Sequence, residues 1–266
     1  MSHPSNWSPA EARARIRRGE WTGPTALLAP GFVQANLVIV PRDAARDFLA
    51  FCQRNPAPCP LIEALPPGEW RPAADWASEA DLRTDLPRYR IYERGLLARE
   101  ATDLLRDFHE DLAAFLLGCS FSFDAALARA GLPVRHVESG RNVPMYETCI
   151  PCRPAGVFAG PMVVSMRPIP EARVKQAAEI TRRIPLAHGA PVHAGDPAQI
   201  GIRDLARPGY GDAVDIRAGE VPVFWACGVT PQAVARAARL PLMITHAPGS
   251  MFITDRRTAD LESRDE

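Results

Sequence analysis

Two stretches of the chain share one pattern of apolar and polar positions. The first is FLLGCSFSFDAA, from Phe115, and the second is VFWACGVTPQAV, from Val223; placing Cys119 on Cys227 aligns them without a gap. Each begins as an apolar run of strand length, ends in a Cys beside a Gly, and continues through a hydroxyl residue into an Ala-rich helical pattern. This change of period predicts strand, tight turn and helix in both stretches.

The hydroxyl residues predict where the two helices begin. Ser122 and Thr230 are of the type that caps helix N-termini, and Pro231 suits the first helical position. A helix N-terminus presents unpaired N–H groups and a partial positive charge, so it favours a carboxylate ligand and lowers the pKa of a nearby thiol. Cys119 and Cys227 are therefore candidate catalytic residues. The alternative is a duplicated structural unit in which both cysteines are small buried hydrophobes.

A weaker similarity extends the suspected internal repeat to residues 113–148 and 221–255. After each helix we expect a short strand carrying a histidine, His136 or His246, then a loop and a Met-aromatic-x-Thr sequence. A histidine in such a place is most often part of the core. As a matched pair near two cysteine turns, both become candidates for general acid–base catalysis, because imidazole titrates near neutral pH.

Elsewhere the pattern predicts further strands and helices. The segment between residues 63 and 84 is rich in proline and predicts irregular structure. We expect the following elements: strands at Phe32–Val40, Leu86–Tyr92, Val134–Glu138 and Gly160–Arg167, and helices at Pro9–Arg18, Ala44–Arg54 (capped by Asp43), Glu100–Phe115 and Glu171–Arg183.

Composition excludes several classes of protein. The 266 residues are 47% hydrophobic with zero formal net charge, which predicts a large core and no nucleic-acid or membrane partner. Six cysteines at irregular spacings predict reduced thiols and a cytoplasmic protein. Lys175 is the single lysine among 31 basic residues, so Schiff-base and pyridoxal phosphate chemistry are not expected. Dinucleotide and ATP signatures are also missing from the sequence.

Several polar residues are candidates for binding a small carboxylate substrate. An arginine binds a carboxylate through two parallel hydrogen bonds, which suggests Arg135 or Arg167. Arg88 and Arg90 belong to a cluster with Arg83 and Asp85, which predicts either a solvated basic edge or an anion site. Further candidates for substrate hydrogen bonds are Ser120, Ser122, Asn142, Tyr146, His193 and Thr230.

Metal binding has two candidate motifs, and no cofactor is otherwise expected. His188, His193 and Asp196 lie in one turn-rich loop and carry groups that bind divalent metals; acid–base chemistry, substrate binding and plain loop structure are the alternatives. Cys149 and Cys152 form a Cys-x-x-Cys motif without a second pair at zinc-site spacing. Proline and glycine follow it, which disfavours a thioredoxin-like helix.

Long strings of the sequence resemble one family. From about Gly31 to Asp255, the chain is similar to the bacterial D-glutamate cyclase family of hydro-lyases. The resemblance implies a carbon–oxygen lyase that releases water, by analogy closing D-glutamate to 5-oxo-D-proline. It also implies an α/β fold in two lobes, for which we expect one unit over residues 1–266, a three-layer α/β/α sandwich with a smaller α+β part. It supplies no catalytic residues. The strings are VQANLVIVP, NPAPCPL, DLRTDLPRYR, FLLGCSFSF, RHVESGRNVPMY, GPMVVSMRP, HGAPVHAGDP, GEVPVFWACGVTPQ and ITHAPGSMFITD.

Three functional hypotheses remain open. The first is a cofactor-independent hydro-lyase in which the helix starts at Ser122 and Thr230 face one cleft, an arginine holds the substrate carboxylate, and a thiol or histidine moves the proton. The second is an amino-acid racemase or epimerase that uses two cysteines as its bases. The third is a non-enzymatic module that binds an organic acid or a regulatory partner. A homo-oligomer is compatible with all three.

Overall fold

The computed structural model describes residues 6–26 and 28–261. The elements in chain order are α1 (Pro9–Arg17), β1 (Phe32–Pro41), α2 (Arg42–Arg54), β2 (Leu61–Leu65), β3 (Tyr89–Glu93), β4 (Leu96–Ala101), β5 (Leu112–Gly118), α3 (Phe121–Arg129), α4 (Arg135–Glu138), β6 (Met145–Pro151), β7 (Pro161–Pro170), α5 (Val174–Arg182), β8 (His193–Ala194), β9 (Glu220–Ala226), α6 (Thr230–Ala238), β10 (Met243–His246) and β11 (Phe252–Arg257). Short 3₁₀ turns occupy Glu171–Arg173, Pro185–Ala187, Pro197–Ile200 and Thr258–Leu261.

The strands form two antiparallel sheets. The first has seven strands in the order β2-β5-β1-β10-β3-β4, with β11 also paired to β1. The second has four strands in the order β6-β7-β9-β8. β1 is central because it pairs with β5 from Ala35 to Pro41, while its other edge pairs with β10 and β11. The mixture of helices and sheets confirms the α/β class; the three-layer arrangement stays a prediction.

The first sheet is covered on both faces. On one face, Phe48 of α2 packs its ring 4.9 Å from that of Phe115 and 5.1 Å from that of Phe158. The opposite face carries Leu37 and Ile39, which are buried beneath the proline-rich segment between residues 63 and 86. That segment is irregular apart from the end of β2, yet its apolar side chains cover this face of the sheet.

Helix α6 packs against both sheets. Val234 and Ala235 belong to the core that lies on the first sheet, whereas Ala233 packs against Val163 of the second. On the same face of the second sheet, α3 and α5 cover Trp225, because Trp225 pairs with Ser165 and so points to the same side as Val163. Helix α6 is therefore the element through which polar groups of the second repeat can reach the first sheet.

The two aligned stretches form strand, turn and helix as predicted, but in different sheets. β5 belongs to the first sheet and is followed by Cys119 and α3. β9 belongs to the second sheet and is followed by Cys227 and α6. The adjacent glycines have a packing reason. A Cβ on Gly118 would lie 1.5 Å from the carbonyl oxygen of Leu186, and one on Gly228 would lie 2.0 Å from the side-chain nitrogen of Asn36.

The predicted helix caps are wrong. Ser122 lies inside α3, and its hydroxyl accepts a hydrogen bond from the backbone nitrogen of Gln34 at 3.2 Å. Thr230 is the first residue of α6 and donates to the carbonyl of Cys227 at 2.7 Å. Asp43 is not a cap either, because α2 begins one residue earlier, after a proline. In both repeats the hydroxyl ties the helix start to neighbouring backbone instead of capping it.

Two predicted elements are also wrong. The segment Glu100–Phe115 is not a helix: it contains the end of β4, turns, and the start of β5, whose residues are buried throughout. Its helical spacing is overridden because β5 pairs with both β1 and β2. The segment Val134–Glu138 is helical rather than extended, since the Glu138 carboxylate accepts from the backbone nitrogen of Val134 at 3.1 Å and closes a single turn.

Candidate functional site

A buried ion cluster forms around Arg167, on the face of the second sheet beneath α3. Its side chain is fully buried, and its Nε donates to Oδ1 of Asp124 at 2.7 Å. Nη2 donates to the second oxygen of Asp124 and to the hydroxyl of Ser120, each at 3.1 Å. Nη1 donates to the hydroxyl of Ser165 at 2.9 Å. The guanidinium is therefore neutralised and held by the protein itself, which leaves it poorly placed for the predicted substrate carboxylate.

His136 joins this cluster from α4. Its Nε2 lies 3.2 Å from Oδ2 of Asp124 without the geometry of an aligned hydrogen bond, and its ring stacks on Phe121. Burial alone would raise the pKa of Asp124, but the charges of Arg167 and His136 outweigh burial and lower that pKa to about 2. Asp124 is thus ionised at neutral pH and locks α3 to the second sheet.

The two cysteines are brought into the same buried region. The amide nitrogen of Phe121, at the start of α3, lies 3.5 Å from the sulfur of Cys119, as expected for a helix N-terminus. Burial nevertheless raises the pKa of Cys119, and it raises the pKa of Cys227 to about 11 against the opposing charge of Arg167. The expected lowering of the thiol pKa is wrong, because burial outweighs the helix N-terminus. These pKa values disfavour a racemase that needs a thiolate base.

The remaining predicted histidines and the proposed metal triad are separated. Nδ1 of His188 lies 2.7 Å from the carbonyl of Ala57, while Nε2 of His193 lies 2.8 Å from the carbonyl of Asp196. Over residues 6–26 and 28–261, no three His, Cys, Asp or Glu side chains are grouped to hold a metal ion. His246 is buried with Nδ1 against the backbone of Leu37, and burial lowers its pKa to about 4.

Two other predicted substrate ligands are engaged within the fold. Arg135 pairs with Glu138 at 3.0 Å and with Glu220 at 2.5 Å, so its charge is matched twice. The hydroxyl of Tyr146 donates to the carbonyl of Leu205 at 2.7 Å. Both side chains stabilise local structure, and their predicted contacts with substrate remain predictions.

An open cleft of about 650 Å³ lies where the edge of the first sheet meets a loop of the second. Asn142 is the one predicted site residue in its wall, and Arg88 and Arg90, predicted as a possible anion site, form the opposite side. Neither Cys119 nor Cys227 is among the described residues that line it. The lining consists of Thr22, Gly23, Pro24, Arg88, Arg90, Glu100, Asn142, Pro208, Gly209, Tyr210, Gly211, Ala247, Pro248 and Ser250.

The cationic side of the cleft is an arginine pair that shares one carboxylate. Arg90 donates through Nε to Glu100 at 3.0 Å, and Arg88 approaches the other oxygen of Glu100 at 3.4 Å. The guanidinium of Arg90 also lies 5.9 Å from the ring centre of Tyr210. Burial raises the pKa of Tyr210 to about 12, so the phenol stays neutral and does not cancel the arginine charges. Two cations facing one carboxylate leave this wall with net positive charge.

The opposite wall is polar and fixed to the second sheet. Tyr210 and Met145 exchange backbone hydrogen bonds, and Asp212 accepts from the backbone nitrogen of Asn142 at 2.9 Å. The Asn142 amide donates to the carbonyl of Pro248 at 3.3 Å, while its Oδ1 is buried and has no hydrogen-bond partner among the described residues. This wall therefore contributes polar groups to the cleft, while the Asn142 oxygen itself is shielded from it.

Sequence reasoning found part of this arrangement. It placed Arg88 and Arg90 on one face of a strand, but it missed Tyr210 and Glu100. The glycines on either side of Tyr210 were the available signal, because Gly-x-Gly in a loop often marks close approach of backbone. Asp124 was hidden within an ordinary helical pattern.

An open cleft with convergent cationic and polar groups on a mixed helix–strand scaffold is typical of enzymes that act on small molecules. The family model described as D-glutamate cyclase matches residues 113–255. The chain belongs to the D-glutamate cyclase family, and its relatives make it a lyase. Its described part contains no helix long and apolar enough to cross a membrane.

Relatives match over nearly their whole length. A protein of Stutzerimonas stutzeri is 60% identical over 96% of both chains. One from Rubrobacter xylanophilus is 61% identical over 95% of this chain and 97% of its own, and one from Bacillus licheniformis is 58% identical over 96% and 97%. All three bear the name "Putative hydro-lyase". The solved nitrogen repressor-like protein of Methanococcus jannaschii is 11% identical over 90% of this chain and 96% of its own, with a TM-score of 0.38, too low to support any argument.

Proposed function

We propose that the protein is a hydro-lyase that acts on a small carboxylate-bearing amino acid in the cleft, with D-glutamate closing to 5-oxo-D-proline as the leading reaction. One observation carries the proposal: Arg88 and Arg90 lie side by side in an open cleft and share a single internal carboxylate, Glu100. The excess positive charge favours an anionic ligand, and guanidinium groups match the geometry of carboxylates.

Glu100 occupies the position between Arg88 and Arg90 that we assign to the substrate carboxylate. Its side chain is about one third exposed, so its contacts with Arg88 and Arg90 are solvent-screened and weak. A substrate carboxylate would take over the guanidinium donors and release Glu100. Glu100 is the one carboxylate among the described lining residues, which makes it the candidate base for the substrate ammonium group.

The reaction then uses both walls. The amine formed by proton transfer to Glu100 attacks the side-chain carboxyl carbon, and a carbon–nitrogen bond forms while negative charge builds on oxygen. Arg90 stabilises this oxyanion, as a preorganised cation does in a partly buried site. The carbon–oxygen bond then breaks, and the departing oxygen leaves as water with two protons: the one that Glu100 took from the ammonium group and the one that the attacking nitrogen loses as the amide forms. On the other wall, the ring of Tyr210 lies 5.9 Å from the Arg90 guanidinium, and burial raises the pKa of Tyr210 to about 12, so the neutral phenol leaves the charge of Arg90 available to the oxyanion.

The test is removal of each cleft cation. Arg90→Gln and Arg88→Gln should each weaken D-glutamate binding, measured by calorimetry, by tenfold or more, since a hydrogen bond to a charged group contributes about 1.5–3 kcal/mol. Formation of 5-oxoproline, measured by chromatography, should fall in parallel. The control is Arg207→Gln, because the Arg207 side chain is 88% exposed and, among the described residues, its ion pair is with Asp204 at 3.6 Å. Wild-type rates in both cleft variants would remove the cleft from the mechanism.

A further inference from the structure

Gln232 connects the second repeat to the arginine wall of the cleft. It lies in the first turn of α6 and is 1% exposed. Its Oε1 accepts from Nη1 of Arg90 at 3.4 Å and from the hydroxyl of Tyr92 at 3.1 Å. Its Nε2 donates to the backbone carbonyl of His246 at 2.9 Å. Every polar atom of this buried amide is thereby used.

These contacts fix which way the Gln232 amide faces. The backbone carbonyl of His246 can only accept a hydrogen bond, so the amide nitrogen must point to it and the amide oxygen to Arg90. The position of α6 is itself set by packing on both sheets, through Val234 on one and Ala233 on the other. The acceptor offered to Arg90 is therefore rigid and neutral, in contrast to the partly exposed Glu100.

We propose that Gln232 is a positioning residue for Arg90: it holds the guanidinium in the orientation that binds the substrate carboxylate, without adding a competing charge. The inference rests on the proposed function of the cleft. Arginine has a long and flexible side chain, and a donor held by a neutral, buried acceptor loses less rotamer freedom when the ligand binds. When the substrate carboxylate displaces Glu100 from Arg90, the hydrogen bond to Gln232 keeps the guanidinium in place.

The test separates positioning from stability. Gln232→Leu removes the acceptor at similar volume and should raise KM for D-glutamate about tenfold and lower kcat as well, because Arg90 both binds the substrate carboxylate and stabilises the oxyanion. Gln232→Glu keeps the shape but supplies a carboxylate, which competes for Arg90. It should raise KM at least as much as Gln232→Leu does.

Control variants separate the positioning role of Gln232 from other causes of a change in KM. Gln53→Leu, at an exposed position of α2, should leave KM and kcat unchanged. Tyr92→Phe removes the neighbouring donor but leaves the contact between Gln232 and Arg90, and should change KM less than threefold. If Gln232→Leu fails to fold, Gln232→Glu decides the question. Thermal unfolding of each variant reports stability separately.

The outcomes distinguish the two proposals. If both Gln232 variants lower the unfolding temperature but keep the wild-type KM, the residue is merely structural and the inference is overturned. If Arg90→Gln itself leaves D-glutamate binding intact, the cleft proposal fails first. If Arg90→Gln abolishes binding while Gln232→Glu has no effect on KM at low salt, the cleft stands and only the positioning role is lost.

Discussion

The buried pair of Arg167 and Asp124 permits a quantitative prediction about stability. Asparagine at position 124 keeps the size of the side chain but removes its charge, which leaves the guanidinium of Arg167 buried among neutral partners. Breaking a buried pair in this way costs about 3–5 kcal/mol, because one charge remains uncompensated. We therefore expect Asp124→Asn to be among the most destabilising single changes that preserve shape in this protein.

The pH dependence of the unfolding free energy gives a second value for the contribution of this ion pair. The pKa of Asp124 falls from 3.8 to about 2 on folding, a difference that corresponds to about 2 kcal/mol. A group whose pKa is depressed in the folded state stabilises the fold above its unfolded pKa. That stabilisation is lost as the pH falls from about 4 to about 2. Protonation of Asp124 and the Asp124→Asn change both leave Arg167 without a counter-charge, so the two values together place the contribution of the charged pair at about 2–5 kcal/mol.

Urea unfolding at neutral pH and at several acidic values would measure both quantities. Asp204→Asn is the control, since Asp204 is 51% exposed and should cost less than about 1 kcal/mol. The double variant Asp124→Leu with Arg167→Met should cost less than the two single changes together, because neither leaves a buried charge. A cost below about 1 kcal/mol for Asp124→Asn, with an unchanged acid profile, would refute the reasoning.

Three further predictions concern other parts of the molecule. Alkylation of the native protein at about pH 8, followed by mass spectrometry, should modify exposed Cys149 well before buried Cys119, whose pKa burial raises; equal rates would contradict this burial. Gly228→Ala should lower stability by about 1–3 kcal/mol through overpacking, whereas Gly23→Ala, with its nearest contact at 3.4 Å, should cost less in thermal unfolding. Burial lowers the pKa of His188 from 6.5 to about 4, so the stability it contributes is lost as the pH falls between those values. His188→Asn should flatten that part of the profile by up to about 3 kcal/mol, and an unchanged profile would show that the imidazole is not the group responsible.

The sequence predicts an element correctly where its local pattern alone determines whether it is a strand or a helix. β1 was evident because its apolar run ends at a proline, and both cysteine turns followed from a change of period. The stretch from Glu100 to Phe115 failed because its spacing fits a helix, while the winning interaction is pairing with strands that are distant in the chain. Tertiary pairing of this kind leaves no local trace.

The site was harder to predict for the same reason. Arg167 was chosen as a carboxylate ligand from its place at a strand end, but nothing nearby in sequence reveals that Asp124 neutralises it. Arg88 and Arg90 could be assigned to one face of a strand by alternation alone. Their neighbours in the cleft, Asn142 and Tyr210, lie in loops attached to the second sheet, so only the assembled structure identifies the cleft.

The walls of the cleft come from segments scattered between residues 22 and 250. A ligand in the cleft therefore affects how firmly the two sheets are held together. A bound acid that contacts Arg90 and Asn142 together would act as a cross-link between the two sheets, and its binding free energy would add to their resistance to separation. A fragment limited to residues 113–255 would retain Asn142 and Tyr210 but lack both arginines. Such a fragment could preserve the cysteine turns and still be unable to retain an anion.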